Sequence, residues 1–449
     1  MYGAERLFAM AESLFPQASA DGVEISFKST EQGLTRFANS YIHQNMLESN
    51  CCCTIRVAFG QQIGVASSND ISPTGLTRTL KTAETIARLA KANLHFPGLP
   101  GPQTYRTLET FDPATTDFAP MQRAEALKRV FDIAEVAGVT VAGAFFTGSD
   151  EIAIANSNGL RAYQPGSFAN LNVVALTDDF SGAAHGITRR IGELDAVAVG
   201  ERAIRKAKDG HNPTELPVGQ YDVVMEPSAI AELMEWTGYV GLGSKAYEEG
   251  SSFLCNHLGE PMAGPNITLY DDAFDTGFTS AFDAEGIPKQ RVDFIRDGVA
   301  TGIVYDRISG HKTGHESTGH MAGTTLAGEG SAPMHLHLAG GTDTEAGLIG
   351  QVEKGILITR THYVNGFLDP RILKMTGLTR DGAFLIEHGK VTRGVKNMRF
   401  TQSVLESLNK VAGLSREREA CPAWWGAAGS YCMPTVLIRD FAFTGKTDH

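Results

Sequence analysis

Apolar positions in the first half of the chain switch between helical and extended spacings. Over residues 5–15, Leu7, Phe8, Met10, Ala11, Leu14 and Phe15 fall on one side of a helix. Residues 23–28 read as a strand, 51–59 alternate with a strand period, and 61–67 follow at hairpin distance. Segments 35–40 and 42–47 read as further extended chain. Ser72-Pro73 opens a second helix through Leu76, Leu80, Ala83, Ile86, Ala87 and Ala90. Residues 95–120, with many prolines and few apolar runs, read as a long connection. A helix over 122–137 leads into strands at 139–147, 151–156 and 160–164, with Asn158-Gly159 as a two-residue turn. Strands at 168–178 and 183–190 extend this meander, and a helix at 194–208 closes it.

Asp209-Gly210-His211-Asn212-Pro213 is a dense turn signal, and the expected domain boundary lies there. Residues 1–212 would form an N-terminal α+β domain and residues 213–449 a β-rich C-terminal domain. In the second, strands are expected at 220–225, 292–296, 299–305, 334–338, 355–363, 383–387, 390–395 and 435–443. Helices are expected at 227–239, 343–352 and 401–411. The fold class is α+β.

Composition narrows the picture. A chain of 449 residues has the length of two or three domains at ~150 residues each. Glycine, at 49 residues, is abundant but shows no three-residue period, which excludes collagen. The 39 Lys+Arg against 51 Asp+Glu give a net charge of −12, which argues against a surface that grips nucleic acid. The basic cluster at 202–208 reads as a solvated helix face. No apolar run reaches ~18 residues, so no membrane span is expected. The first residues lack the order of a signal peptide. Cys51, Cys52 and Cys53 are consecutive and point to alternate faces of a strand, so reduced thiols in a cytoplasmic protein are expected.

The string His311-Lys312-Thr313-Gly314-His315-Glu316-Ser317-Thr318-Gly319-His320 carries the ingredients of a zinc hydrolase, two imidazoles beside a carboxylate. Zincins space their histidines four apart on one helical face. His315 and His320 are five apart, and glycines at 310, 314 and 319 oppose a regular helix. A metal site using His315, His320 and Cys421 therefore competes with a glycine-rich loop that meets a ligand or partner, and the loop is favoured. His335 and His337 would share one face of a strand, read as polar; His362 and His388 are isolated. Cys421 and Cys432, among Pro422, Trp424, Trp425 and Gly429, read as buried thiols. No Gly-x-Ser-x-Gly elbow or Walker loop is present. Gly238-x-x-Gly241-x-Gly243 has the wrong spacing for a dinucleotide fingerprint.

Several strings in order carry a resemblance. They are Thr35-Arg36-Phe37-Ala38-Asn39-Ser40, Ala155-Asn156-Ser157-x-Gly159, and Phe282-Asp283-x-Glu285-Gly286-x-Pro288 with Ile295-x-x-Gly298-Val299. Gly314-x-x-Ser317-Thr318-Gly319, Leu385-Ile386-Glu387-x-Gly389-Lys390-Val391 and Pro434-Thr435 follow. Along essentially its whole length the chain resembles the TldD/PmbA family, once called modulators of DNA gyrase. The resemblance implies a cytoplasmic zinc metallopeptidase that cuts unfolded or leader peptides and is built from two kinds of subunit. TldD-type subunits carry a His-Glu-x-x-x-His helix and a distant cysteine ligand; TldE (PmbA)-type subunits lack the motif and pair with the first kind. The corresponding positions here read Glu235-Trp236-Thr237-Gly238-Tyr239-Val240, and Cys421 falls near the cysteine position.

The resemblance thus implies a non-catalytic TldE/PmbA-type subunit, with no cofactor of its own and zinc in a TldD-type partner. It would pair with that partner as a heterodimer, and a homodimer of the isolated chain stays open as the alternative. Gly314, His315, Glu316, Ser317, Thr318, Gly319 and His320 would contact the peptide or the partner. The alternatives are an independent zinc peptidase using His315, Glu316 and His320, and a non-enzymatic regulator of DNA gyrase.

Overall fold

The computed structural model describes residues 1–275, 278–323, 330–422 and 430–447. The fold is α+β. Six antiparallel strands form the first sheet: β1 (Gly22–Ala38), β2 (Tyr41–Phe59), β3 (Gln62–Ser68), β4 (Thr140–Asn156), β5 (Arg161–Leu176) and β6 (Ser181–Thr188), in spatial order β3-β2-β1-β4-β5-β6. One face carries helices α1 (Ala4–Glu12), α2 (Pro73–Leu89), α3 (Pro113–Thr116), α4 (Pro120–Ala137) and α5 (Ala196–Asp209). Leu7, Leu76 and Leu80 close over Ile25, Phe27 and Ile55, and Leu127, Val130 and Ala203 over Phe145, Leu171 and Val173. Helix α2 lies so near the sheet that a Cβ at Gly64 would fall 2.1 Å from the Ala83 carbonyl oxygen.

The Ser72 hydroxyl accepts from the Gly75 N–H and caps α2, with Pro73 in the first turn. Ser72→Ala is expected to lower stability by about 1 kcal/mol, read as a shift of the urea midpoint at unchanged slope.

A second sheet is built by β7 (Gly219–Met225), β8 (Leu269–Asp271), β9 (Val292–Arg296), β10 (Val299–Ala300), β11 (Leu336–Leu338), β12 (Lys354–Ile358), β13 (Thr361–Asp369), β14 (Lys374–Thr379), β15 (Ala383–Glu387), β16 (Lys390–Gly394), β17 (Met398–Ser403), β18 (Val411–Pro422) and β19 (Ser430–Lys446). Strand β19 is its hub, pairing with β7, β11, β17 and β18. Helix α6 (Pro227–Gly241) is buried on nearly all sides, with Ala229, Ile230, Leu233, Met234 and Val240 in the main core. Shorter helices α7 (Ser244–Glu248), α8 (Arg307–Thr313), α9 (Glu345–Gly350) and α10 (Val404–Asn409) complete this half. The halves also meet through apolar contact, where Ile154, Leu160 and Ala162 pack with Ala281 and Phe282.

Several expected boundaries shift. Segments 23–28 and 35–38 are one strand, β1, with Asn39-Ser40 as the left-handed turn into β2; 140–147 and 151–156 are one strand, β4; 161–164 and 168–176 are one strand, β5. Pairing on both sides carries the chain through Gly33 and Gly148, and pairing with β4 alone carries it through Pro165-Gly166, overriding their weak strand propensity. The connection after Asn156 spans Ser157 to Leu160 instead of two residues, because the Asn156 side chain accepts from the Asn158 and Leu160 N–H groups. The helix expected at 401–411 shrinks to α10: β17 runs to Ser403, whose hydroxyl caps α10, and β18 begins at Val411. Residues 355–363 divide into β12 and β13, and 299–305 keeps only β10.

Candidate functional site

A cleft of about 360 Å³ lies between the two sheets, bounded by β5 and β6, helix α5, the first turns of α6 and the end of β18. Its walls are held by charge pairs that cross between the halves. The Arg202 guanidinium forks onto Glu419, donating from Nη1 to Oε2 at 3.1 Å and from Nη2 to Oε1 at 2.8 Å. The Lys206 ammonium donates to Glu226 Oε2 at 2.5 Å. These two basic residues are therefore not a solvated face, as their charge run suggested. The α5 register turns them toward carboxylates that the second half supplies. A double-mutant cycle on Arg202 and Glu419, each to alanine, is expected to give a coupling of about 1 kcal/mol by denaturant melts, because the pair is only partly shielded.

His185 stands on β6 between the halves. Its Nε2 lies 3.2 Å from the Ala420 carbonyl oxygen, which can only accept, so Nε2 carries the proton. Nδ1 then accepts from the Ser228 hydroxyl at 3.1 Å. Burial holds the imidazole below its ordinary pKa, which keeps it neutral. Burial likewise raises the Cys421 thiol well above its ordinary value, and Ser228 hydrogen-bonds to it. Glu226 and Glu232 are raised by burial, the former partly offset by Lys206.

The positions that the resemblance assigns to the zinc motif sit in and behind this cleft. Glu235 lines it and is hydrogen-bonded to the Tyr431 hydroxyl, which burial and that carboxylate push well above its ordinary pKa. Trp236 packs edge-on against Tyr239 and Phe367, with ring centroids 5.9 and 5.2 Å away. Val240 belongs to the apolar core. An isopropyl group and an indole offer no metal ligand, the Glu235 carboxylate is engaged, and the Cys421 thiol is protonated. These residues do not fit a zinc ion. Among the described residues, no three His, Cys, Asp or Glu side chains are grouped to hold a metal.

The His311-to-His320 string divides among different environments. His311, Lys312 and Thr313 end helix α8, which the glycines did not prevent; Gly314 closes it in the left-handed conformation at φ 76°. His315 is exposed and stacks on Tyr305 with centroids 4.6 Å apart. Glu316 is exposed, Ser317 and Thr318 are half-buried and bond the Tyr305 carbonyl, and Gly319 is buried. His320 is fully buried, with Nε2 3.0 Å from Asp271 Oδ1 and Nδ1 2.8 Å from the Thr318 carbonyl oxygen. The two histidines thus occupy opposite settings, one at the surface and one in the interior. Cys421 lies instead with Ser228 and Glu235 in the cleft. Trp424, Trp425 and Gly429 lie outside the described residues.

Around His320 is a polar interior that sequence reasoning missed. Asp271 is fully buried and also accepts from the Met334 and His335 N–H groups at 2.7 Å each. Burial alone would raise its carboxyl; His320, first, and then the Lys289 ammonium and His335 outweigh that and hold it well below the usual range. His335 and His337, expected on a polar face, are buried as well. Lys289, also buried, faces Asp271 and Asp283. The residues come from four separated segments, and only the alternation of His335 and His337 left a signal in the sequence.

Family comparison agrees with this architecture. Residues 218–445 match the PmbA/TldA metallopeptidase C-terminal domain, and residues 110–210 match the corresponding central domain. A Haemophilus influenzae protein described as a metalloprotease TldD homolog is 26% identical over 234 residues, 51% of this chain and 47% of that protein. The chain thus spans about half the length of that relative. A metalloprotease PmbA homolog from the same organism is 22% identical over 445 residues, covering 92% of this chain and 94% of that one. The crystal structure of TldE from Thermococcus kodakarensis superposes with a TM-score of 0.86 at 22% identity, covering 98% of this chain and 99% of that one. With family models covering both the central meander and the β-rich half that builds the cleft, the chain belongs to the TldD/PmbA metallopeptidase family.

Proposed function

We propose that this chain is a TldE/PmbA-type subunit, non-catalytic by itself, of a two-component cytoplasmic zinc metallopeptidase that cleaves unfolded or leader peptides. A TldD-type partner would hold the zinc and perform hydrolysis, and this chain would complete the peptide channel. The observation that carries the reading is the chemistry of α6. Where the family's zinc-binding subunits present two imidazoles and a base, this helix presents a carboxylate tied to Tyr431, an indole in an aromatic cluster and a core valine.

The channel role draws support from strand β2. Its residues 53–59 pair with β3, whereas among the described residues the stretch from Tyr41 to Cys52 pairs with β1 alone, which leaves its outer edge without a strand partner there. An extended peptide could add to such an edge through main-chain hydrogen bonds. The rival reading, an independent zinc peptidase built on His315, Glu316 and His320, is disfavoured by the burial of His320 against Asp271 and the outward stacking of His315 on Tyr305.

Affinity purification of the tagged chain from its own cytoplasm tests the subunit reading. Recovery of a relative with an intact His-Glu-x-x-x-His helix is expected. Recovery of DNA gyrase without such a relative would contradict it.

A further inference from the structure

A second cleft, also about 360 Å³, opens between the β1–β2 hairpin and the start of α4, and shares no lining residue with the first. At its base lies Arg123, a charged side chain only 2% exposed. Its guanidinium donates from Nε to Thr35 Oγ1 at 2.9 Å, from Nη1 to Thr147 Oγ1 at 2.7 Å and the Phe118 carbonyl at 2.8 Å, and from Nη2 to Asn45 Oδ1 at a long 3.4 Å. Every acceptor is neutral. Arg123 makes no ion pair among the described residues, and burial is what depresses its basicity. A buried guanidinium without an anion is costly by several kcal/mol and is ordinarily paired.

Helix α4 adds to the same potential. It is 18 residues long, and Ala119 and Pro120 at its start line the cleft. The Gln122 side chain accepts from the Ala119 N–H at 2.8 Å and Pro120 has no N–H, which leaves the Met121 and Gln122 N–H groups without a side-chain cap among the described residues. The positive end of a helix and a buried cation therefore converge on one cleft. Glu31 and Asp117 line the same cleft but neither bonds Arg123, so a carboxylate that reached the guanidinium directly would meet a cation held only by neutral acceptors. Gly33 makes the room: a Cβ there would fall 2.7 Å from Arg123 Nη2.

We propose that this cleft is a carboxylate-binding site anchored by Arg123, for a monoanionic ligand with an apolar body. One guanidinium matches one carboxylate. Glu31 and Asp117 also line the cleft and would oppose a dianion such as phosphate. Met46, Leu47 and Phe118 supply apolar wall, and Met46 and Leu47 are 45% and 74% exposed, open to a ligand's side chain. The carboxylate could belong to a free acid or to a peptide C-terminus. The inference does not depend on the subunit reading, since none of these residues belongs to the α6 cleft.

Calorimetric titration of the full chain with N-acetyl-leucine, its C-terminal amide and acetyl-Gly-Gly-Leu tests it. Both acids are expected to bind, with the amide weaker by about tenfold or more. Tighter binding of the tripeptide acid assigns the site to peptide ends, and equal binding assigns it to small acids. Arg123→Met should abolish binding, and Arg123→Lys should weaken it. Gly33→Ala, which displaces the guanidinium while keeping its charge, should weaken it too, and serves if Arg123→Met does not fold. The proposal is overturned if neither acid binds, if acid and amide bind alike, or if the folded variants bind as the parent does.

Discussion

His320→Ala is expected to destabilise the protein by about 2–3 kcal/mol, the scale for removing a hydrogen-bond partner from a buried ionised carboxylate. Burial and the Lys289 ammonium hold the His320 ring below its ordinary pKa, so it acts as a neutral partner of Asp271. The pair has no solvent to fall back on, since His320 and Asp271 side chains are both at 0% exposure. Asp271 would keep its two backbone donors, from Met334 and His335, but lose the ring that faces Oδ1. His320 also ties the 318–320 segment to β8, because Nδ1 binds the Thr318 carbonyl. The loss should therefore reach the loop presented beside it. Urea unfolding of parent and variant checks this; a change below about 1 kcal/mol would show that the pair contributes little. His315→Ala, at an exposed ring, should change stability by no more than about 0.5 kcal/mol in the same assay.

Acid is expected to weaken the fold through His335. Its ring is held down to about 3, first by burial and then by the neighbouring Lys289 ammonium. The other charged or titratable groups facing it are Asp271, His337 and His320. The unfolded chain takes up this proton near ~6.5. Between the two values the unfolded state binds more protons than the native state, so stability falls as pH drops through that window. At about pH 5 this single site accounts for about 2 kcal/mol. Unfolding midpoints at neutral pH and near pH 5 should differ markedly for the parent and less for His335→Leu. Equal slopes in the two proteins would contradict the assignment.

Both effects arise where the sequence was least readable. The strings around Asp283, Ser317 and Pro434 carried the family and the α+β class, and helices with plain apolar stripes such as α2 were visible in the spacing. Strand β1 was not seen whole. Its odd positions share one face from Val23 to Phe37, buried at all but Glu31, but Ser29, Glu31, Gly33 and Thr35 interrupt the apolar alternation. That polar interval is where Arg123 rests on the sheet, so the gap in the pattern marked a cleft rather than a break in the strand. In the same way, the basic run on α5 read as solvent-facing because its partners, Glu226 and Glu419, are distant in sequence. The histidines at 315 and 320 spelled a motif locally, yet the chain turns between them and sends one outward and one inward. Local pattern reports secondary structure well when each element has one buried face; pairs made by chain closure leave almost no local trace.

The most direct test of the subunit account is the zinc content and peptide-hydrolysing activity of the purified chain, alone and mixed with a TldD-type relative bearing the His-Glu-x-x-x-His helix. The account predicts no stoichiometric zinc and no cleavage of an unfolded peptide by the chain alone, with cleavage appearing in the mixture. Stoichiometric zinc in the isolated chain, lost together with its own cleavage activity on His315→Ala, would contradict it.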